Sequence, residues 1–135
     1  MTIGMFGFLK RHKPVYETPE PEAVRERALR VFSNIEGLDD IKEMMLRALE
    51  SPERAHTLLT GPPASAKSLF MLQIEKFMSS RVYFAEGAST SKAGLQRFIA
   101  ENQHKEIIII DEIDKMPMKD QEGLLTMMER RICKY

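Results

Sequence analysis

Two segments constrain this chain more than anything else in it: Gly61-Pro62-Pro63-Ala64-Ser65-Ala66-Lys67-Ser68 and Ile107-Ile108-Ile109-Ile110-Asp111-Glu112. The first has the form of a glycine-started loop that opens into a helix. The second has the form of a buried strand that delivers two carboxylates at its end. A chain carrying both is expected to be α/β, with strands and helices alternating around a parallel sheet and both segments on the ligand-facing edge. Their combined chemistry points to a nucleoside triphosphate with magnesium.

The surrounding pattern agrees. Pro21 can open a helix whose Val24, Ala28, Val31 and Phe32 form one apolar face. Asp39 or Asp40 can cap a second helix, in which Ile41, Met44, Met45, Ala48 and Leu49 recur at helical spacing until Ser51-Pro52 stops it. After that, residues 56–60, 81–85 and 107–110 read as strands. Helices from Lys67 (with Leu69, Phe70, Leu72, Ile74 and Phe77 available for burial), from the Ser89–Ser91 cap and from Asp120 (with Leu124, Leu125 and Met128 inward) alternate with them. Residues 1–20 read as a flexible tail and 21–135 as one nucleotide-binding domain.

In the loop, successive backbone N–H groups and the helix N-terminus favour a β-phosphate. The expected nucleotide contacts are Gly61, Pro62, Pro63, Ala64, Ser65, Ala66, Lys67, Ser68 and Leu69. Lys67 would reach between the β- and γ-phosphates, and the Ser68 hydroxyl would complete a magnesium shell. The strict pattern has glycine at position 66. Alanine is tolerable there because a residue opening a helix has negative φ. The bland alternative is a Gly-Pro-Pro turn that merely precedes a lysine-containing helix.

At the acidic strand end, Asp111 is expected to support magnesium and Glu112 to polarise the attacking water. The alternative is an ordinary buried strand with a solvated acidic turn. No Asn-Lys-x-Asp segment is present to recognise guanine, and small-molecule kinases rarely place a glutamate directly after the magnesium aspartate.

With these residues in place, the chain resembles the AAA+ P-loop ATPases. The likeness is to the branch of Holliday-junction helicases, minichromosome-maintenance helicases and magnesium-chelatase-like motors. Phe32–Gly37, the loop, Asp111–Lys115 and Leu124–Glu129 carry the resemblance. It implies a three-layer α/β/α P-loop fold, ATP and Mg2+ as cofactors, and Ile35 and Gly37 against the adenine. It implies an intact parent that hydrolyses ATP as a ring, of six subunits in that family's manner, and remodels DNA or protein. Family members have glycine at positions matching both Ala64 and Ala66.

The resemblance also implies missing parts. Family members carry a fourth strand, with a water-placing polar residue, between the loop strand and the Asp-Glu strand. A fifth strand, an arginine finger and a helical lid follow. Three strands are expected here, with a gap in the sheet, as in a portion of a longer ATPase with little turnover of its own. The alternatives are a non-hydrolysing regulatory module that docks on full-length subunits, and a complete small P-loop enzyme with the two motif strands directly paired. The stretch Ala85–Gly94 lies where relatives often place a substrate-gripping loop, and reads equally as a plain strand–helix connection.

Composition sets the remaining bounds. Lys+Arg and Asp+Glu both total 20, so bulk charge argues for neither nucleic acid nor an anionic membrane. The single cysteine, Cys133, excludes an internal disulfide and suits a reducing, cytoplasmic setting. No run approaches the roughly 18 apolar residues of a membrane span, and Met1–Leu9 lacks the charge order of a secretory signal.

Overall fold

The structure, a computed structural model, describes residues 2–8, 20–102 and 104–130. Its elements in chain order are β1 (Thr2–Phe8), α1 (Pro21–Val31), α2 (Asp39–Glu50), β2 (Thr57–Gly61) and α3 (Lys67–Met78). Then come β3 (Val82–Glu86), α4 (Lys92–Glu101), β4 (Ile107–Asp111) and α5 (Met118–Arg130). Short 3₁₀ turns at Ser79–Arg81, Gly87–Ser89 and Ile113–Lys115 lead into or out of β3 and β4.

The four isoleucines of β4 show why this is a three-layer α/β/α fold. Side chains alternate across a strand, so one apolar run can feed two cores. Ile107 and Ile109 pack with Phe32, Met45, Leu46, Phe70 and Ile74 on the α1–α3 side. Ile108 and Ile110 pack with Leu95, Ile99, Met116 and Leu124 on the α4–α5 side. All four are buried, which fits a strand covered on both faces. Phe32 and Phe70 meet with ring centroids 5.0 Å apart, joining the end of α1 to α3. Tyr83 stacks on Phe98 at 3.6 Å and ties β3 to α4.

The sheet order is β2-β1-β4-β3. β3 and β4 are parallel, with Val82 opposite Ile107 and Glu86 opposite Asp111. β1 is antiparallel to both its neighbours, with Thr2 opposite Gly61 and Met5 opposite Ile110. β2, β3 and β4 therefore share one direction, as the three expected strands should. The fourth strand is the correction. The first 20 residues read as a tail, yet Thr2–Phe8 forms β1 and occupies the interval between the loop strand and the acidic strand. The sheet is mixed, the interval is filled, and the two motif strands do not pair directly.

Several side chains fall on other faces than their spacing suggests. In α2 the buried set is Lys42, Met45, Leu46 and Leu49, while Met44 is exposed. Asp39 and Asp40 sit in the first turn and the cap position is Leu38, at φ 55°. In α3 the inward residues are Phe70, Met71 and Ile74, whereas Leu69, Leu72 and Phe77 are exposed. In α5 Leu124 is buried and Leu125 exposed. The helix starts at Met118, so Asp120 lies in its first turn, where its carboxylate accepts from the Lys92 backbone N–H at 3.0 Å.

Candidate functional site

β2 and β4 both oppose β1, so their C-terminal ends emerge at the same sheet edge. One intervening strand sets their axes about 10 Å apart. Thr2 lies opposite Gly61, and the β1–β4 register carried on by one residue sets Gly4 level with Asp111. The loop and the acidic pair thus share an edge, which is where open α/β sheets take their ligands.

The loop turns directly out of β2. Gly61 has no Cβ; one placed there would stand 3.2 Å from Ser65 Oγ and 3.7 Å from Lys67 Nζ. Lys67 uses that room. It is buried to 6% exposure, and its ammonium donates to Gly61 O at 3.0 Å, Pro62 O at 2.5 Å and Ser65 Oγ at 2.6 Å. A buried ammonium needs such acceptors. All three are neutral, so a phosphate oxygen arriving at the same place would add the opposite charge that they lack. Ala66 caps α3 at φ −64°, without a side-chain hydrogen bond to the first turn, and no acidic residue occupies that turn. The opening amides of α3 are therefore the kind of uncapped helix N-terminus that suits an anion.

Ala66 is comfortable with negative φ, as its helix-opening position requires. Ala64 is not: its φ is 59°. Left-handed backbone costs a non-glycine residue roughly 1–2 kcal/mol. Of the two departures from the glycine pattern, position 64 carries the strain.

At the other half of the site, the Asp111 carboxylate accepts from the Glu112 backbone N–H at 2.8 Å, which orients it at the strand end. Glu112 is itself left-handed, at φ 52° and ψ 44°. Its carbonyl accepts from Lys115 N at 2.8 Å as the chain enters the 3₁₀ turn. Its carboxylate accepts from Lys115 Nζ at 2.7 Å, and that hydrogen bond holds the Lys115 pKa above its ordinary value. Gly87 presses on this backbone. A Cβ at Gly87 would stand 2.3 Å from Glu112 O and 2.9 Å from its carbonyl carbon. Backbone strain at a candidate water-polarising residue marks a position that its surroundings enforce.

The structure thus brings Gly61–Ser68, Asp111 and Glu112 to one edge. Ser68 is exposed at the opening of α3. Ile35 is different: it lies in the core beside Phe32 and Met45, so its side chain serves packing. Gly37, exposed and at φ 63°, is the member of that pair left at the surface. Further along the Asp111–Lys115 segment, Lys115 pairs with Glu112. The Ala85–Gly94 stretch forms the Gly87–Ser89 turn and the Ser91 cap, whose side chain accepts from Gly94 N at 3.1 Å. Sequence reading missed Gly87 and β1. The clues available were a glycine just past a strand and an apolar, aromatic-containing run at residues 2–8.

The residues present fit a triphosphate with magnesium. Among the described residues no group of three or more His, Cys, Asp or Glu converges to hold a metal alone. Magnesium commonly takes one or two protein ligands and completes its shell with phosphate and water. Ser68 and Asp111 are of that kind. Among the described residues no helix is long and apolar enough to cross a membrane.

Comparison with known proteins agrees with this geometry. A family model described as the MCM P-loop domain matches residues 19–134. The chain belongs to that family, and so to the AAA+ P-loop ATPases. It is also similar to the RuvB subunit of the Holliday junction branch migration complex of Streptococcus thermophilus, 32% identical over 112 residues. That match covers 77% of this chain and 34% of the relative. The corresponding subunit of Oenococcus oeni is 28% identical over 121 residues, covering 87% of this chain and 36% of the relative. The chain spans about a third of the length of these relatives. No solved structure gives a significant match.

Proposed function

We propose that this chain is the Mg-ATP-binding portion of an AAA+ ATPase core. The observation that carries the reading is the shared edge: an uncapped helix N-terminus with a buried, loop-bound lysine, one strand away from an oriented aspartate–glutamate pair. Residues 61–69 hold the polyphosphate through backbone N–H groups. Lys67 exchanges its neutral loop acceptors for phosphate oxygens. Ser68 and Asp111 hold magnesium, which neutralises charge on the β- and γ-phosphates when bound. Glu112 leaves Lys115 to accept a proton from the attacking water. Exposed Gly37 lies towards the adenine.

For an intact parent, the likeness to RuvB subunits favours a ring assembly, six subunits being the expected number, acting on DNA, with protein remodelling as the alternative substrate class. The Glu112–Lys115 ion pair favours a second reading for this portion alone. Its water-polarising carboxylate is already occupied, which suits nucleotide binding without efficient hydrolysis, as in a regulatory module docked on longer subunits.

Calorimetric titration with ATP, with and without magnesium, tests the main reading. Saturable one-to-one binding that needs magnesium and weakens about 100-fold in Lys67→Ala supports it. No heat with Mg-ATP from a folded chain overturns it. Robust, Glu112-dependent ATPase activity from the chain alone would remove the second reading.

A further inference from the structure

We propose that β1 is a positioning element for the nucleotide site, and that its insertion between β2 and β4 is coupled to nucleotide binding. The inference rests on the Mg-ATP reading above and goes beyond it. β2 carries the loop and β4 carries the acidic pair, but no ladder joins them directly. On one side Thr2, Gly4 and Phe6 stand opposite Gly61, Leu59 and Thr57. On the other, Met5 and Phe8 stand opposite Ile110 and Ile107. The helices on either face press on the sheet, yet sliding β2 along β4 is resisted by main-chain bonds only through β1. Residues 2–8 include no lysine, aspartate or glutamate for phosphate or magnesium. Their contribution is register.

The same features also give β1 a route to release. No hairpin ties it to either neighbour, because the next described helix begins at Pro21. Its pairing partners are remote in sequence, Gly61 for Thr2 and Ile110 for Met5, so closing those loops costs chain entropy. Gly4 and Gly7 weaken a strand interior. Local openings of such elements cost less than global unfolding. If the inserted state alone sets loop and carboxylates at the spacing that one Mg-polyphosphate spans, nucleotide favours insertion and insertion favours nucleotide by the same factor.

Three measurements on the full chain test this. Saturating Mg-ATP should slow amide exchange at residues 3–7 at least tenfold. Phe6→Pro, which removes a ladder donor and disfavours a central strand, should weaken Mg-ATP at least tenfold while the helical circular dichroism is retained. Cysteines at the facing pair Ile3 and Thr60, in a Cys133→Ser background, should oxidise within one chain, and the oxidised protein should bind Mg-ATP at least as tightly as the reduced one. Unchanged exchange at residues 3–7, or an oxidised protein that binds more weakly, overturns the coupling even if Phe6→Pro fails to fold. Lys67-dependent binding that survives Phe6→Pro overturns the coupling and leaves the nucleotide reading standing. Disulfides forming only between chains show that the interval is filled by a second copy, and overturn the proposal. A wild-type chain that binds no Mg-ATP counts against the nucleotide reading and the coupling together.

Discussion

The two halves of the site are built differently. The loop half is local: Gly61, Pro62, Ser65 and Lys67 make their hydrogen bonds with each other, inside one turn of chain. The acidic half is assembled from a distance. Asp111 ends a strand held by β1 and β3, and Glu112 is kept in left-handed backbone under Gly87. A local device can be lifted between proteins as a motif. A distributed one depends on every packed neighbour, so substitutions far along the chain should disturb it more readily.

Substitutions can break or sharpen that contrast. The largest expected effect is on binding: Lys67→Ala should raise the Kd for Mg-ATP about 100-fold, the worth of one or two charge-assisted hydrogen bonds, with little change in stability. Glu112→Gln should leave that Kd within about threefold, because the proposed role of Glu112 is towards the water and not the phosphate anchor. Both are read by titration.

Gly87→Ala should act through packing. The added methyl meets Glu112 main-chain atoms that cannot move aside as a flexible side chain would. A cost of about 1–3 kcal/mol in urea unfolding is expected, together with altered chemical shifts at Glu112. An unchanged midpoint would show that the acidic half tolerates displacement, and would erase the contrast.

Ala64→Gly tests the local half from the other direction. Removing the left-handed penalty at φ 59° should stabilise the folded chain by about 1 kcal/mol, partly offset by the greater freedom of glycine when unfolded. A gain in thermal midpoint of a few degrees is the readout.

The smallest effect concerns His56, just before β2. Burial, and then the nearby Arg54 charge, lower its pKa from the ordinary 6.5. The fold therefore favours the neutral ring. Its contribution is fully present above pH 6.5 and is lost as the pH falls below that value towards the lowered folded pKa. Because much of the ring is solvent-accessible, the loss should be a few tenths of a kcal/mol. An NMR titration of the ring protons checks the direction.

How far the sequence could be read follows the same division. Gly61–Ser68 was legible because its chemistry and its spacing sit in one stretch. β4 was legible because four isoleucines in a row have few other uses. The inward faces of α2 and α3 were misjudged at Met44, Leu69, Leu72 and Phe77 because apolar residues outnumber the core-facing positions. Tertiary packing then chooses among them. The strain at Glu112 and its contact with Gly87 arise from residues that no local window joins. β1 was read as part of a tail because nothing in Thr2–Phe8 states which partners will flank it; that depends on a vacancy between strands that are far apart in sequence.

One practical consequence comes from the reversed direction of β1. Because Thr2 stands level with Gly61, the N-terminal end of β1 is delivered to the ligand-facing rim, not to the far side of the sheet. A purification tag or fluorescent protein fused ahead of this strand would be planted at the mouth of the site and could be mistaken for an inhibitor.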